Sequence, residues 1–136
     1  MSENRRMDCE QRENERIERA RDFLCGYQMC MDMLHLRQYE RKRAYHFDDP
    51  CRCEDLLLGS EAFWRARMHE VAHLINSMKN GREKLILYYH YIGGESIERA
   101  ADLLGVSRRT GYRIHQKGLA QAAFLLEKMK KQESGT

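Results

Sequence analysis

Two stretches of this 136-residue chain carry side chains whose types and spacing could do chemistry. The first is His69-Glu70-Val71-Ala72-His73, the HExxH order in which two histidines one helical turn apart hold zinc and the glutamate acts as general base for peptide hydrolysis. Such a zinc needs a third protein ligand, and the extended HExxHxxGxxH order is absent because Asn76 stands where its glycine would be. Glu95 and Glu98 lie downstream at usable distances, but they belong to the start of another element. At about 100° per residue, His69 and His73 point away from the apolar seam of their own helix, beside Arg65, Ala66, Asn76 and Ser77. That predicts a solvated face without cleft walls. The reading is a surface pair, with no catalytic residue, metal or cofactor, and no enzyme.

The second stretch is the basic run at Arg108, Arg109, Arg113 and Lys117, which lies in a segment without a single acid between Asp102 and Glu127. A helix that enters the DNA major groove needs cations for phosphates and forked donors for base edges, and its first two turns face the bases. Ser107, Arg108, Arg109, Thr110, Tyr112, Arg113, Gln116 and Lys117 are therefore the candidate DNA-binding residues. The bland alternative is a solvated helix face. Against it stand the residues that would position this helix. Ser96 is a helix N-cap with Glu98 in the first turn, and Ile97, Ala100, Ala101 and Leu104 make one apolar face. Gly105 supplies the positive φ that closes a helix, Val106 plugs the corner, and Ser107 caps the next helix. Small residues and a glycine corner let two helices cross closely, as a helix-turn-helix requires and a solvated helix does not.

From Asn80 to Ala122 the chain, NGREKLILYYHYIGGESIERAADLLGVSRRTGYRIHQKGLAQA, resembles region 4 of the sigma-70 family, and more closely the phage transcriptional regulators of the ArpU and RinA type. The resemblance covers about a third of the chain. It implies binding of double-stranded DNA near promoters, or contact with RNA polymerase, in a phage or prophage setting. At Gly111 two explanations compete: close approach of a neighbouring helix, which Gly118 on the same face favours, and an underpacked site, which the β-branched residue usual in similar sequences favours; the expectation is underpacking, with Gly111→Ala raising the melting temperature.

The rest of the chain must present that element. With 42% hydrophobic and 33% charged residues and one proline, the composition describes an all-α protein. Residues 1–80 hold 14 basic and 15 acidic groups, whereas residues 81–136 hold 10 and 6, which puts the DNA-facing charge in the C-terminal part. Ile17, Ala20, Leu24, Tyr27, Met31 and Leu34 form a heptad seam, and Trp64, Met68, Val71, Ile75 and Met78 form a second. The expected architecture is a long N-terminal helical hairpin over residues 1–80, serving assembly, followed by a trihelical helix-turn-helix module over residues 81–136. The seams pair either within one chain or between two chains in a homodimer.

Several smaller expectations complete the reading. Residues up to Arg16, dense in Glu and Arg, are frayed helix or disordered, and residues 128–136 are a frayed tail. Ala44 to Gly59 is an irregular connection broken at Asp48-Asp49-Pro50, with Ser60 capping the second long helix and Glu61 in its first turn. His46, Cys51 and Cys53 offer three donors, short of a structural zinc set, and the five cysteines are read as reduced thiols. A third helix over Arg82 to Ile92 covers the helix-turn-helix with Leu85, Ile86, Leu87, Tyr89 and Ile92. His35, His46, His90 and His115 are read as structural or exposed. No apolar run is long enough for a membrane span or signal core, so the expected location is cytoplasmic. Four functions remain: a transcription regulator, the DNA-recognition subunit of a phage packaging complex, an interaction module that does not touch DNA, and a zinc peptidase.

Overall fold

The computed structural model describes the backbone of residues 2–47 and 50–134 and the side chains of residues 8–43 and 61–132. Every element in it is helical: α1 (Ser2–Phe47), α2 (Pro50–Asn76), α3 (Arg82–Leu87), a π-helical turn (Tyr88–Ile92), α4 (Ile97–Leu104) and α5 (Arg108–Ser134).

Where irregular chain was expected over residues 44–59, residues 44–47 and 50–59 are helical, and Asp48 and Asp49 of the expected break lie outside the described residues. Helix α1 continues through Phe47, and α2 begins at Pro50. The physical reason is position: at the first turn of a helix a proline lacks only an N–H that has no helical partner anyway, and its fixed φ suits the helix. Gly59 and Ser60 consequently lie inside α2 rather than at its start, a glycine costing about 1 kcal/mol against alanine without breaking a helix of this length. The His46, Cys51 and Cys53 side chains lie outside the described residues. At the other end, the expected frayed tail continues α5 as far as Ser134.

Helices α1 and α2 pack antiparallel within one chain. Glu61 of α2 meets Arg41 of α1, the Trp64 ring lies under the Arg37 guanidinium at 5.6 Å, and Arg67 lies over the Phe23 ring at 5.1 Å, so α2 ascends as α1 descends. From the two seams Ala20, Leu24, Leu34, Val71, Ile75 and Met78 are buried, and Ile17, Tyr27, Met31, Trp64 and Met68 are half-buried. Cys30 and Leu74, which the heptad spacing omitted, are buried with them. Glu61 is also buried, and its carboxylate answers both Arg41 and Arg65.

The remaining elements stack against this hairpin. Helix α3 runs into the π turn, whose wider winding swings Tyr91 inward: Ile86, Leu87 and Tyr91 are buried, Tyr89 and Ile92 half-buried, while Leu85, expected on the inner face, is 42% exposed. Leu24, Val71, Leu74 and Ile75 from the hairpin share one continuous core with Ile86, Leu87, Tyr91, Ile97, Ala100, Ile114 and Leu119. Polar ties reinforce it. The Gln28 amide donates to the carbonyls of Tyr91 and Ile92 at 3.3 and 2.9 Å, and Arg16 pairs with Glu127 at 2.9 Å. Among the described residues, no helix is long and apolar enough to cross a membrane.

Candidate nucleic-acid interface

The interface is built around the α4–α5 corner. Ser96 caps α4, its hydroxyl accepting from the Arg99 backbone N–H at 3.1 Å. Gly105 ends the helix at φ 71°, ψ 30°, a left-handed conformation that residues with a Cβ rarely adopt. That bend returns the Val106 N–H to the Ala101 carbonyl at 3.0 Å and the Gly105 N–H to that of Asp102 at 3.1 Å. Ser107 caps α5: its oxygen accepts from the Thr110 backbone N–H at 3.2 Å, and its hydroxyl donates to Thr110 Oγ1 at 2.9 Å. These are the stop, plug and cap expected from the Leu104 to Ser107 run.

The two helices then cross at van der Waals limit. A Cβ placed on Gly111 would stand 2.6 Å from the Ala101 Cβ, which is fixed to the α4 backbone. Gly111 is therefore a point of close approach, and the underpacked site expected from sequence is overturned. Gly118, about two helical turns later, makes a similar contact with α3, where a Cβ would lie 3.1 Å from the Glu83 carbonyl oxygen and from Leu87 Cγ. With Ile114, Leu119, Ala122 and Ala123, these glycines form the buried face of α5.

Opposite that face, Arg108, Arg109, Tyr112, Arg113, Gln116 and Lys117 are exposed. None of the four cations forms an ion pair within 4.0 Å among the described residues, so their charge is presented outward. Ser107 is exposed but committed to its cap, and Thr110 is half-buried as the partner in that cap. The eight candidate residues thus lie along one edge of one element, six of them exposed on it.

Two features escaped the sequence reading. Tyr112, 47% exposed, donates its phenolic O–H to the Glu98 carboxylate on α4. That bond, with a backbone hydrogen bond and the Arg108 and His90 charges, holds the Glu98 carboxyl below its ordinary range, and the same bond, with desolvation and the Glu98 charge, pushes the Tyr112 phenol up. The spacing of Glu98 and Tyr112 on two different helices left no periodic signal. The second feature is the partner of His115, read as structural or exposed; it is structural, being buried, and its Nε2 is hydrogen-bonded to the Tyr91 hydroxyl at 2.8 Å, the two rings stacked 5.7 Å apart. Burial, then the neighbouring His90 and Arg21 charges, brings the His115 pKa down to about 4, and burial pushes Tyr91 up to about 12. At neutral pH the pair is uncharged and satisfied.

The HExxH residues sit elsewhere. His69 and His73 are exposed on α2, Glu70 is engaged by Arg67 at 3.4 Å, and among the described residues no three His, Cys, Asp or Glu side chains gather as a ligand set. One expectation about them changes. His69 does border a cleft, an open groove of about 770 Å³ between α1 and α2 that it shares with Tyr27, Met31, Leu34, His35 and Met68. The described cysteines, Cys9, Cys25 and Cys30, are free thiols, Cys30 buried, and burial pushes the thiols of Cys25 and Cys30 up.

Residues 80–123 match a family model described as a homeodomain-like domain. No curated protein and no solved structure matches the chain. The matched residues cover α3, the π turn, α4 and the first part of α5, which is the trihelical unit carrying the exposed basic face. This segment is a helix-turn-helix, a DNA-binding fold.

Proposed function

We propose that this protein is a sequence-specific, DNA-binding transcriptional regulator of phage or prophage type. It acts in the cytoplasm and binds promoter-proximal double-stranded DNA through α5. The observation that carries the reading is the outward face of that helix: Arg108, Arg109, Arg113 and Lys117 are exposed there and form no ion pair within 4.0 Å among the described residues, on an element clamped to α4 at Gly111. Forked guanidinium donors in the first two turns suit guanine O6 and N7, and a cation further along suits phosphate. The resemblance of residues 80–122 to sigma-70 region 4 and to the ArpU and RinA regulators supplies the promoter setting and RNA polymerase as a candidate partner. Residues 1–80 are proposed as the assembly or polymerase-contacting part, and the protein as a binding protein rather than an enzyme. A packaging-complex role and a DNA-independent interaction role gain no specific observation.

Selection of bound sequences from a random duplex pool, followed by titration of variants, tests it. Lys117→Ala should weaken all DNAs alike and flatten the salt slope by about one unit, while Arg108→Ala or Arg109→Ala should cost about 1–3 kcal/mol at particular base pairs. Equal weakening of every sequence by all substitutions would remove the base-reading role. Absence of any salt-sensitive DNA binding would remove the function.

A further inference from the structure

Glu98 is the acid that touches the reading face, and it does so through a hydrogen bond that consumes Tyr112's only side-chain donor. A free tyrosine on a DNA-facing helix would offer its O–H to a phosphate or to a purine acceptor. Here that hydrogen already points to a carboxylate on α4, so Tyr112 meets a ligand as an aromatic face, nearly half of it exposed, together with an oxygen able only to accept. At about 100° per residue Tyr112 lies next to Arg108, Arg109 and Gln116 on the α5 surface, within the turns that face bases. The major-groove feature that rewards an apolar face is the thymine C5-methyl group, whereas guanine presents only acceptors at its edge.

We infer that Tyr112 is a specificity-determining residue that packs its ring on a thymine methyl group, and that Glu98 is the positioning residue that holds the ring there by its hydrogen bond to the Tyr112 hydroxyl. The inference rests on the proposed DNA-binding function and names one base it reads. The Glu98 carboxylate adds a second effect: placed beside Arg108, it repels phosphate and keeps that side of the interface from settling on DNA through charge alone.

Substitution of deoxyuridine for thymine deletes the methyl group and nothing else, which makes it the probe. On a selected duplex, replacing thymines singly should identify one position where affinity for the unaltered protein falls about three- to fourfold, the scale of one buried methyl. That penalty should vanish in Tyr112→Ala and shrink without vanishing in Tyr112→Phe, which keeps the ring but loses the hydroxyl that Glu98 holds. It should shrink in Glu98→Ala, which releases the ring, and return in Glu98→Gln, whose amide oxygen still accepts from the phenol. Glu98→Gln should also tighten binding to random duplex more than binding to the selected site. Thermal melts of all four variants exclude misfolding as the cause. If the protein binds DNA with strong salt dependence but no thymine shows a penalty, or the penalty survives Tyr112→Ala, this inference fails while the DNA-binding function stands. A penalty equal in Glu98→Ala and the unaltered protein removes Glu98's positioning role. If no salt-sensitive binding occurs at all, both fail together.

Discussion

A single missing methyl group sets how closely α4 and α5 approach. The gap of 2.6 Å between a virtual Cβ on Gly111 and the Ala101 Cβ is well inside van der Waals contact, and neither atom can swing away, since each is fixed to a helical backbone. Gly111→Ala would gain about 1 kcal/mol of helix propensity, but overpacking of this kind costs about 1–3 kcal/mol and opens the crossing. The expected outcome is a melting temperature lower by several degrees and a weakened DNA complex, with Ala101→Gly in the same chain restoring part of the loss. A melting temperature that rises in Gly111→Ala would mean that the crossing is looser than described. The clue was in the sequence, as small residues at Ala100, Ala101, Gly111 and Gly118, yet only the pairing of Gly111 with Ala101 across two helices decides between close approach and underpacking. Periodicity along one helix cannot supply that pairing.

At the scale of elements, caps and seams were legible because they are local: Ser96, Gly105 and Ser107 act on neighbours within four residues, and the heptad positions repeat along one chain segment. The extra helical length at Pro50 and the π turn at Tyr88–Ile92 were not, because both depend on what the backbone does elsewhere. The π turn has a consequence for pH. It carries Tyr91 to His115 of α5, and the groups facing that imidazole are Tyr91, His90 and Arg21, with Cys25 beside Tyr91. The folded-state pKa of His115, about 4, lies below the ordinary 6.5, so unfolded chains bind the proton first. The contribution is complete above pH 6.5 and is lost as pH falls toward 4, by about 3 kcal/mol in all. His115→Gln keeps a hydrogen-bonding group for the Tyr91 hydroxyl but does not titrate. Urea unfolding from pH 7 to 4 should therefore fall less steeply in the variant; identical slopes would show that His115 is not held neutral.

Across the whole molecule, the hairpin and the helix-turn-helix share one core rather than meeting at a wet boundary. Leu24 of α1 and Leu74 of α2 are fully buried in the same cluster as Leu87, Ile114 and Leu119, and Gln28 of α1 holds carbonyls at the end of the π turn. Because the two heptad seams face each other inside one chain, burial of that surface needs no second copy. Two expectations follow for the free protein. Unfolding should be one cooperative transition, seen at the same denaturant concentration by fluorescence of Trp64 on α2 and by loss of salt-sensitive DNA binding through α5. Its midpoint should not move with protein concentration, as the midpoint of an obligate dimer would. Leu24→Ala supplies the discriminating variant. It removes a fully buried side chain about 90 residues in sequence from the basic face of α5, and should cost about 2–5 kcal/mol, shifting both probes together by the same amount. Separation of the two probes, with the DNA-binding transition left in place while the Trp64 signal moves, would show that α1 merely leans on the helix-turn-helix and that the shared core does not couple them.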